Sequence, residues 1–327
     1  MRPVVLLAAF LAAGCDPGRP RSSASPASSS IVEHGSAAAA SSAKVARAAI
    51  SCTSDPGYPE MWQLAEASAA VEFEPRPGER AIIALADSGN HGEAMIWPIS
   101  PPGALRPVKL ELDTLASDDI EGAACTRGHL YTLTSSGAVR RYTPSAAGEL
   151  VRDRAAYAIG PRPYTCDTLW DGNCGKNLEG LCLRPAPASA PASTKPPCAG
   201  YAASKTESAL YCVAFLGDAL TIDTKRSPIK LDLAPQALSD CAFGSAGGAA
   251  EGTLVVTTNI YGGSTTYAVD EATGAVSAID VPGLLNNEAV VIDRDGALYL
   301  FMDGNTSISP TFRQTCTGWG PGPTSKR

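Results

Sequence analysis

From Glu66 onward the chain alternates short apolar runs with turn-forming residues, and one phrase recurs: an acidic residue, small or apolar residues, a turn, then a strongly hydrophobic strand. The copies begin Glu66-Ala-Ser-Ala-Ala-Val, Glu121-Gly-Ala-Ala-Cys, Glu179-Gly-Leu-Cys-Leu, Asp240-Cys-Ala-Phe and Glu288-Ala-Val-Val-Ile. They precede predicted strands at 81–86, 129–134, 209–215, 253–258 and 297–302. The acids fall roughly 50–60 residues apart, enough for several strands per unit, which is the period of a β-propeller blade.

The units divide further at their turn residues. The second predicts strands at 120–125, 129–135, 138–143 and 149–159, with turns at Ser136-Gly137 and Ala147-Gly148. The fourth predicts 240–243, 253–259, 264–270 and 275–281. The fifth predicts 288–293, 297–302 and 307–313 and then lacks an outer strand, which the segment around Ile50–Thr53 is expected to supply. The expectation is a single all-β propeller over 49–316 with five four-stranded blades, six being the alternative, its last blade closed by the N-terminal strand so that no edge is left exposed.

The ends of the chain differ from this pattern. Met1-Arg2, an apolar stretch from Val4 to Ala13 and then Gly14-Cys15 read as a lipoprotein signal peptide over 1–14, since the stretch is far shorter than the ~20 residues of a membrane span. Cys15 would become the lipidated N-terminus; an ordinary secretory signal is the other reading. Residues 15–48 are mostly Ser, Ala, Pro and Gly, a composition that cannot offset its ordering entropy, and are expected to be a disordered tether. Residues 184–197 are a Pro/Ala/Ser insertion in the third unit, and 317–327 a flexible tail.

Charge and cysteine content narrow the class. A net charge of −7 argues against nucleic acid, whose binding needs a basic face, and leaves lipid on Cys15 as the means of membrane attachment in the cell envelope. A monomer is expected. Ten cysteines and three histidines, with no Cys-x2-Cys pair, favour disulfides over zinc. Cys52 and Cys316 flank the blade closure and are expected to bond across it. Cys166 and Cys174 are read as clipping the loop between them. Cys182 and Cys212 are read as neighbours in one hairpin. Nine cysteines beyond Cys15 leave one unpaired in a monomer, with Cys125 and Cys241 the candidates.

The phrases Glu66-Ala-Ser, Asp87-Ser-Gly-Asn90, Asp119-Ile-Glu121-Gly, Asn177-Leu-Glu179-Gly-Leu and Asn287-Glu288-Ala resemble those of the phytase-like and SdiA-regulated group of secreted bacterial propellers. The resemblance implies the propeller fold and a bound cation; it implies no enzymatic activity. In a propeller the first strand of each blade lines the central channel, and the loop entering it shares a face with the loop leaving the second strand. Glu66, Glu121, Glu179, Asp240 and Glu288 are therefore expected to ring one channel mouth, with Asp87, Asp218, Asn259 and Asp303 beside them. Oxygen ligands at this density suit Ca²⁺, with Glu121, Glu179 and Glu288 as the candidate metal ligands.

Catalytic signals are few. A Ser88/His91 pair sits on one turn without a Gly-x-Ser-x-Gly elbow, His129 begins a strand, and Arg140-Arg141 reads as a solvated strand instead of a phosphate cluster. The sequence thus points to an extracytoplasmic propeller binding a small molecule, cation or protein on an acidic channel face; no reaction motif is present, and a non-catalytic role is expected. The alternative is a calcium-dependent hydrolase of small esters, lactones or phosphoesters.

Overall fold

The computed structural model describes residues 49–55, 60–185, 198–245, 247–259, 263–281, 286–303 and 309–319; the expected signal peptide and tether, most of the insertion and most of the expected tail lie outside them. Two short strands, β1 (Ser51–Ser54) and β2 (Glu60–Trp62), come before the first full sheet. Blade 1 is β3 (Ala67–Arg76), β4 (Glu79–Ala86), β5 (Glu93–Ser100) and β6 (Arg106–Lys109). Blade 2 is β7 (Ile120–Thr126), β8 (His129–Thr134), β9 (Ala138–Pro144) and β10 (Leu150–Ala158). Blade 3 is β11 (Leu178–Leu183), β12 (Gly200–Ser204), β13 (Ala209–Leu216) and β14 (Ala219–Ile222), with β15 (Ile229–Lys230) added beside β13. Blade 4 is β16 (Ala237–Phe243), β17 (Leu254–Asn259), β18 (Thr266–Val269) and β19 (Val276–Ala278). Blade 5 is β20 (Asn287–Ile292), β21 (Ala297–Met302) and β22 (Ser309–Thr317), completed by β1 as its outer strand, with β2 also on β22.

These are five antiparallel sheets arranged as a five-bladed propeller. The core lies between blades, not at one centre. Leu85, Ile96 and Phe73 of blade 1 meet Leu130 and Tyr142 of blade 2, and Trp62 and Ile82 meet Tyr299 and Phe301 across the junction of blades 5 and 1. Every blade is covered on both faces, which is why second strands such as Ala81-Ile-Ile-Ala-Leu-Ala86 read as continuous apolar runs instead of alternating ones.

The closure is covalent. Cys52 faces Cys316 in the β1–β22 register, and the two are disulfide-bonded. Such a bond restricts the unfolded chain through a very long loop, worth up to about 5 kcal/mol in the chain-entropy account.

Four expectations are corrected by the third blade and its neighbours. The second strand of blade 3 is Gly200–Ser204, and 209–216 is its third strand, because the insertion separates β11 from β12 and shifts the repeat. Cys182 therefore does not neighbour Cys212: both face Tyr201 of the intervening β12. The bonds formed are Cys182–Cys241, between the inner strands of blades 3 and 4, and Cys198–Cys212 within blade 3. Cys241 is thus not an unpaired thiol, and neither is Cys125. Cys166 is bonded to Cys174. Finally, Arg140 is not solvated. It is fully buried and donates to the carbonyls of Ala116 (2.7 Å) and Ser117 (2.8 Å), whereas Arg141 pairs with Asp153 and Asp218 at the blade edge.

Candidate functional site: an acidic channel mouth with one lysine

In all five blades the inner strand carries a β-bulge near its start, and the extra residue is Ser68, Glu121, Glu179, Ser239 or Glu288. A bulge re-aims a side chain without ending the ladder. This is the structural basis of the repeated acid, and it shows which copies are equivalent. Glu121, Glu179 and Glu288 share one position. In blades 1 and 4 that position is a serine, which ties its blade to the next one: Ser68 donates to the Ile120 carbonyl (2.7 Å) and Ser239 to the Asn287 carbonyl (2.9 Å).

Glu66 and Asp240 hold other positions. Glu66 lies two residues before the bulge, with φ +47°, in line with Asp119, Asn177 and Asn286; it stands near Asp87. Asp240 lies one residue past the bulge, where the other blades have Ala69, Gly122, Gly180 and Ala289. Its carboxylate is buried against the position of Gly180 and accepts from the backbone N–H of Val290 (2.9 Å) and from that of Cys241. It is a tie between inner strands below the mouth.

The ends of the second strands complete the mouth. Asp87 N donates to the Glu66 carbonyl, Ser135 N to Asp119, Lys205 N to Asn177 and Asp303 N to Asn286, and Asn259 pairs with Ala237. Asp87, Ser135, Lys205, Asn259 and Asp303 are therefore equivalent. Asp87, Asn259 and Asp303 stand where the repeat places them. Asp218 does not: it sits in the β13–β14 turn and pairs with Arg141 (2.8 Å) and Arg154 (3.0 Å) at the periphery. Its place at the mouth is taken by Lys205, which reasoning from sequence missed. The signal was present in Ala202-Ala-Ser-Lys205, which matches Ala84-Leu-Ala-Asp87 once β12 is recognised as the second strand.

Lys205 Nζ lies 2.8 Å from Glu179 Oε2. Burial works to depress its ammonium, but Glu179, Glu288 and Glu121 outweigh that and hold it above the ordinary lysine value. Glu288 accepts from the side chain of Asn259, and Asp303 from that of Asn286 (2.9 Å). In the adjoining blades 1 and 2, ligand oxygens of Asp87, Asp119 and Glu121 lie within 4.8 Å of one another. Asp119 accepts from Ser135 Oγ, and Asp87 from the backbone N–H of Ser88. The Cys166–Cys174 loop roofs this side, with Asn173 N donating to Ser135 Oγ (3.2 Å) and Gly172 packed near Asp119. His91 turns outward to Asp118 (3.2 Å) and pairs with no Ser88 hydroxyl.

The carboxyls resist ionisation. Burial, and then the charges of Asp119 and Glu66, push Asp87 up to about 7 against the opposing Ser88 N–H. Burial raises Glu288 to about 8 despite Lys205, with Glu179, Asp303 and Asp87 adding repulsion. Glu121 is raised by burial and by Glu179, Asp87, Asp119 and Glu288, and Glu179 by burial against the pull of Lys205. Each acid sees the others across the channel, so the cluster favours any added cation.

No family model matches the chain, and no curated protein matches it. Among solved structures it is similar to Myxococcus xanthus glutaminyl cyclase, at 15% identity over 82% of this chain and 98% of that one, with a TM-score of 0.46. It is also similar to the Myceliophteria thermophila Cps50 (Swd1) β-propeller domain, at 13% identity over 76% and 68% of the two chains and a TM-score of 0.37. A Lactobacillus plantarum protein matches at 12% identity over 72% and 77%, with a TM-score of 0.36. At these values none transfers a site residue or an activity. The phytase-like and SdiA-regulated resemblance rests on its short phrases alone.

Proposed function

We propose that this chain is an extracytoplasmic propeller that binds a cation or a cationic small molecule at its acidic channel mouth without catalysing a reaction. The disulfides accord with an oxidising compartment. One observation carries the binding reading. The mouth already uses a cation, the Lys205 ammonium, to hold Glu179 and its neighbours, while Asp87, Asp119 and Glu121 gather in the adjoining blades and Glu121 makes no ion pair among the described residues. Six to eight oxygens suit Ca²⁺, and Asp87, Asp119 and Glu121 would hold it, with water or ligand supplying the rest.

Calorimetric titration of the folded domain with Ca²⁺ tests this. Saturable binding that raises the melting temperature, and is lost in Glu121→Gln, supports it. Identical melting curves in excess Ca²⁺ and in chelator, with no heat of binding, defeat it for Ca²⁺.

A second reading, a metal-dependent hydrolase of small esters, lactones or phosphoesters, draws on the carboxyls at about 7 and about 8. Asp87 and Glu288 exchange protons near neutral pH, as a general acid or base must. Ca²⁺-dependent turnover that falls in Glu288→Gln while Ca²⁺ binding persists would favour it over binding alone.

A further inference from the structure

The channel has a second opening, and its chemistry is opposite to that of the mouth. Below the acidic ring the inner strands come closest together: a Cβ on Gly122 would lie 2.5 Å from the Leu181 backbone nitrogen, and one on Gly180 would lie 2.6 Å from an Asp240 carboxylate oxygen. Below this level lies a cavity of about 80 Å³, lined by the inner strands toward the ends where their hairpins turn. Its wall comes from all five inner strands, with Val71, Ala123, Leu181, Ala242 and Ile292 among its apolar residues and Glu72, Glu74, Arg80, Ser245 and Arg294 its charged and polar ones. One water needs roughly 10–15 Å³ by this measure, so the space takes several water-sized groups or a short hydrocarbon chain.

The rim is basic in effect. Three inner hairpins place an arginine on this face. Arg127 stacks on Phe215 (3.6 Å), and Arg184 stacks on Phe243 (4.7 Å) and pairs with Glu271. Arg294, at the cavity rim, makes no ion pair among the described residues, and its buried Nε has no hydrogen-bond acceptor. Arg80, also on the rim, gives Nε to Glu72 (2.6 Å) and Nη1 to Asp295 (3.0 Å), but its buried Nη2 is unmatched. Glu72, the acid beside them, is already spent: it accepts from Arg80, from Ser245 Oγ (3.1 Å) and from the Arg294 backbone N–H (2.8 Å). Glu74 accepts from Gly78 N. Two guanidinium groups thus offer buried N–H donors without acceptors at the end of an apolar tube. Unmatched buried donors are costly, and a planar carboxylate is the group a guanidinium fork matches.

We propose that this second opening binds a short aliphatic carboxylate, with its chain in the channel and its carboxylate between Arg294 and Arg80. The site is independent of the acidic mouth and of any cation bound there. Hexanoate is the probe, titrated calorimetrically into the folded protein. The expected result is saturable one-to-one binding, weakened at least about tenfold by Arg294→Gln, since a charge-assisted contact is lost. Hexanol and hexylamine should bind at least about tenfold more weakly than hexanoate to the unaltered protein, a comparison that does not depend on any variant folding. Glu121→Gln at the mouth should leave hexanoate affinity unchanged. Absence of saturable hexanoate binding, equal affinity for hexanol, or full retention of affinity in Arg294→Gln would each overturn the proposal.

Discussion

Glu288 shows how burial reverses a side chain's usual preference. Glutamate ordinarily titrates near 4.5, and here it does so at about 8; Asp87 moves from 3.8 to about 7. Across the window between those values the folded state binds protons that the unfolded state has released, so stability falls as pH rises from about 4 to about 8. We predict that the melting temperature measured in chelator drops between pH 5 and pH 8, and that Glu288→Gln makes that slope shallower without removing it. Lys205 acts in the other direction. Lys205→Met leaves Glu179 buried without its partner and should cost about 2–3 kcal/mol at pH 8, by denaturant titration, and progressively less as pH falls and the raised carboxyls take up protons. Of these residues, the acids were legible because one residue type recurs at one phase. Lys205 and Asp119 were not, because their roles depend on which strand end faces the channel, and the insertion hides that in blade 3.

At the scale of the strand, the inner edge of the propeller is built from a bulge followed, in every blade but the fourth with its Asp240, by alanine or glycine. Gly122 has no room for a Cβ, with the Leu181 nitrogen at 2.5 Å and the Gly180 carbonyl carbon at 2.8 Å. Both obstacles are backbone and cannot rotate aside. Gly122→Ala should therefore force β7 from β11 and cost about 2–3 kcal/mol, and Gly137→Ala, where the nearest atom is a Thr165 side-chain methyl, offers a comparison complicated by its φ of +88°. Equal melting temperatures for Gly122→Ala and the unaltered protein would contradict this account. The strands of blades 2, 4 and 5 could be read from sequence to within a few residues, since Gly-containing turns bound each apolar run. Blade 3 could not, because the low-complexity insertion falls inside the first hairpin and the next apolar run, Gly200–Ser204, is short and rich in alanine. The bulge itself leaves no mark in hydrophobic periodicity, so Glu66 and Asp240 looked equivalent to Glu121 although each is out of phase with it.

For the whole molecule, the number of blades and the return of the N-terminal strand to the last one followed from counting strands, since a fifth unit one strand short needs a partner. The inter-blade bond Cys182–Cys241 did not follow, because sequence order says nothing about which inner strands touch. The sharing of charge between the two channel ends was equally hidden. Arg294 reads as one residue of a turn until the hairpins are seen side by side and its counterparts Arg127 and Arg184 are found engaged.

The bond between Cys52 and Cys316 turns most of the domain from a line into a loop in the topological sense. A line is divided by one cut, and a loop is not. A protease that severs any one peptide bond between those cysteines therefore yields two segments that still travel together, and the blades on either side keep their neighbours. Limited digestion should give a single band on a non-reducing gel and separate fragments only after reduction, while the nicked protein keeps its melting transition. In an environment with extracellular proteases, such a molecule tolerates a first wound that would dismantle an open chain of the same sequence.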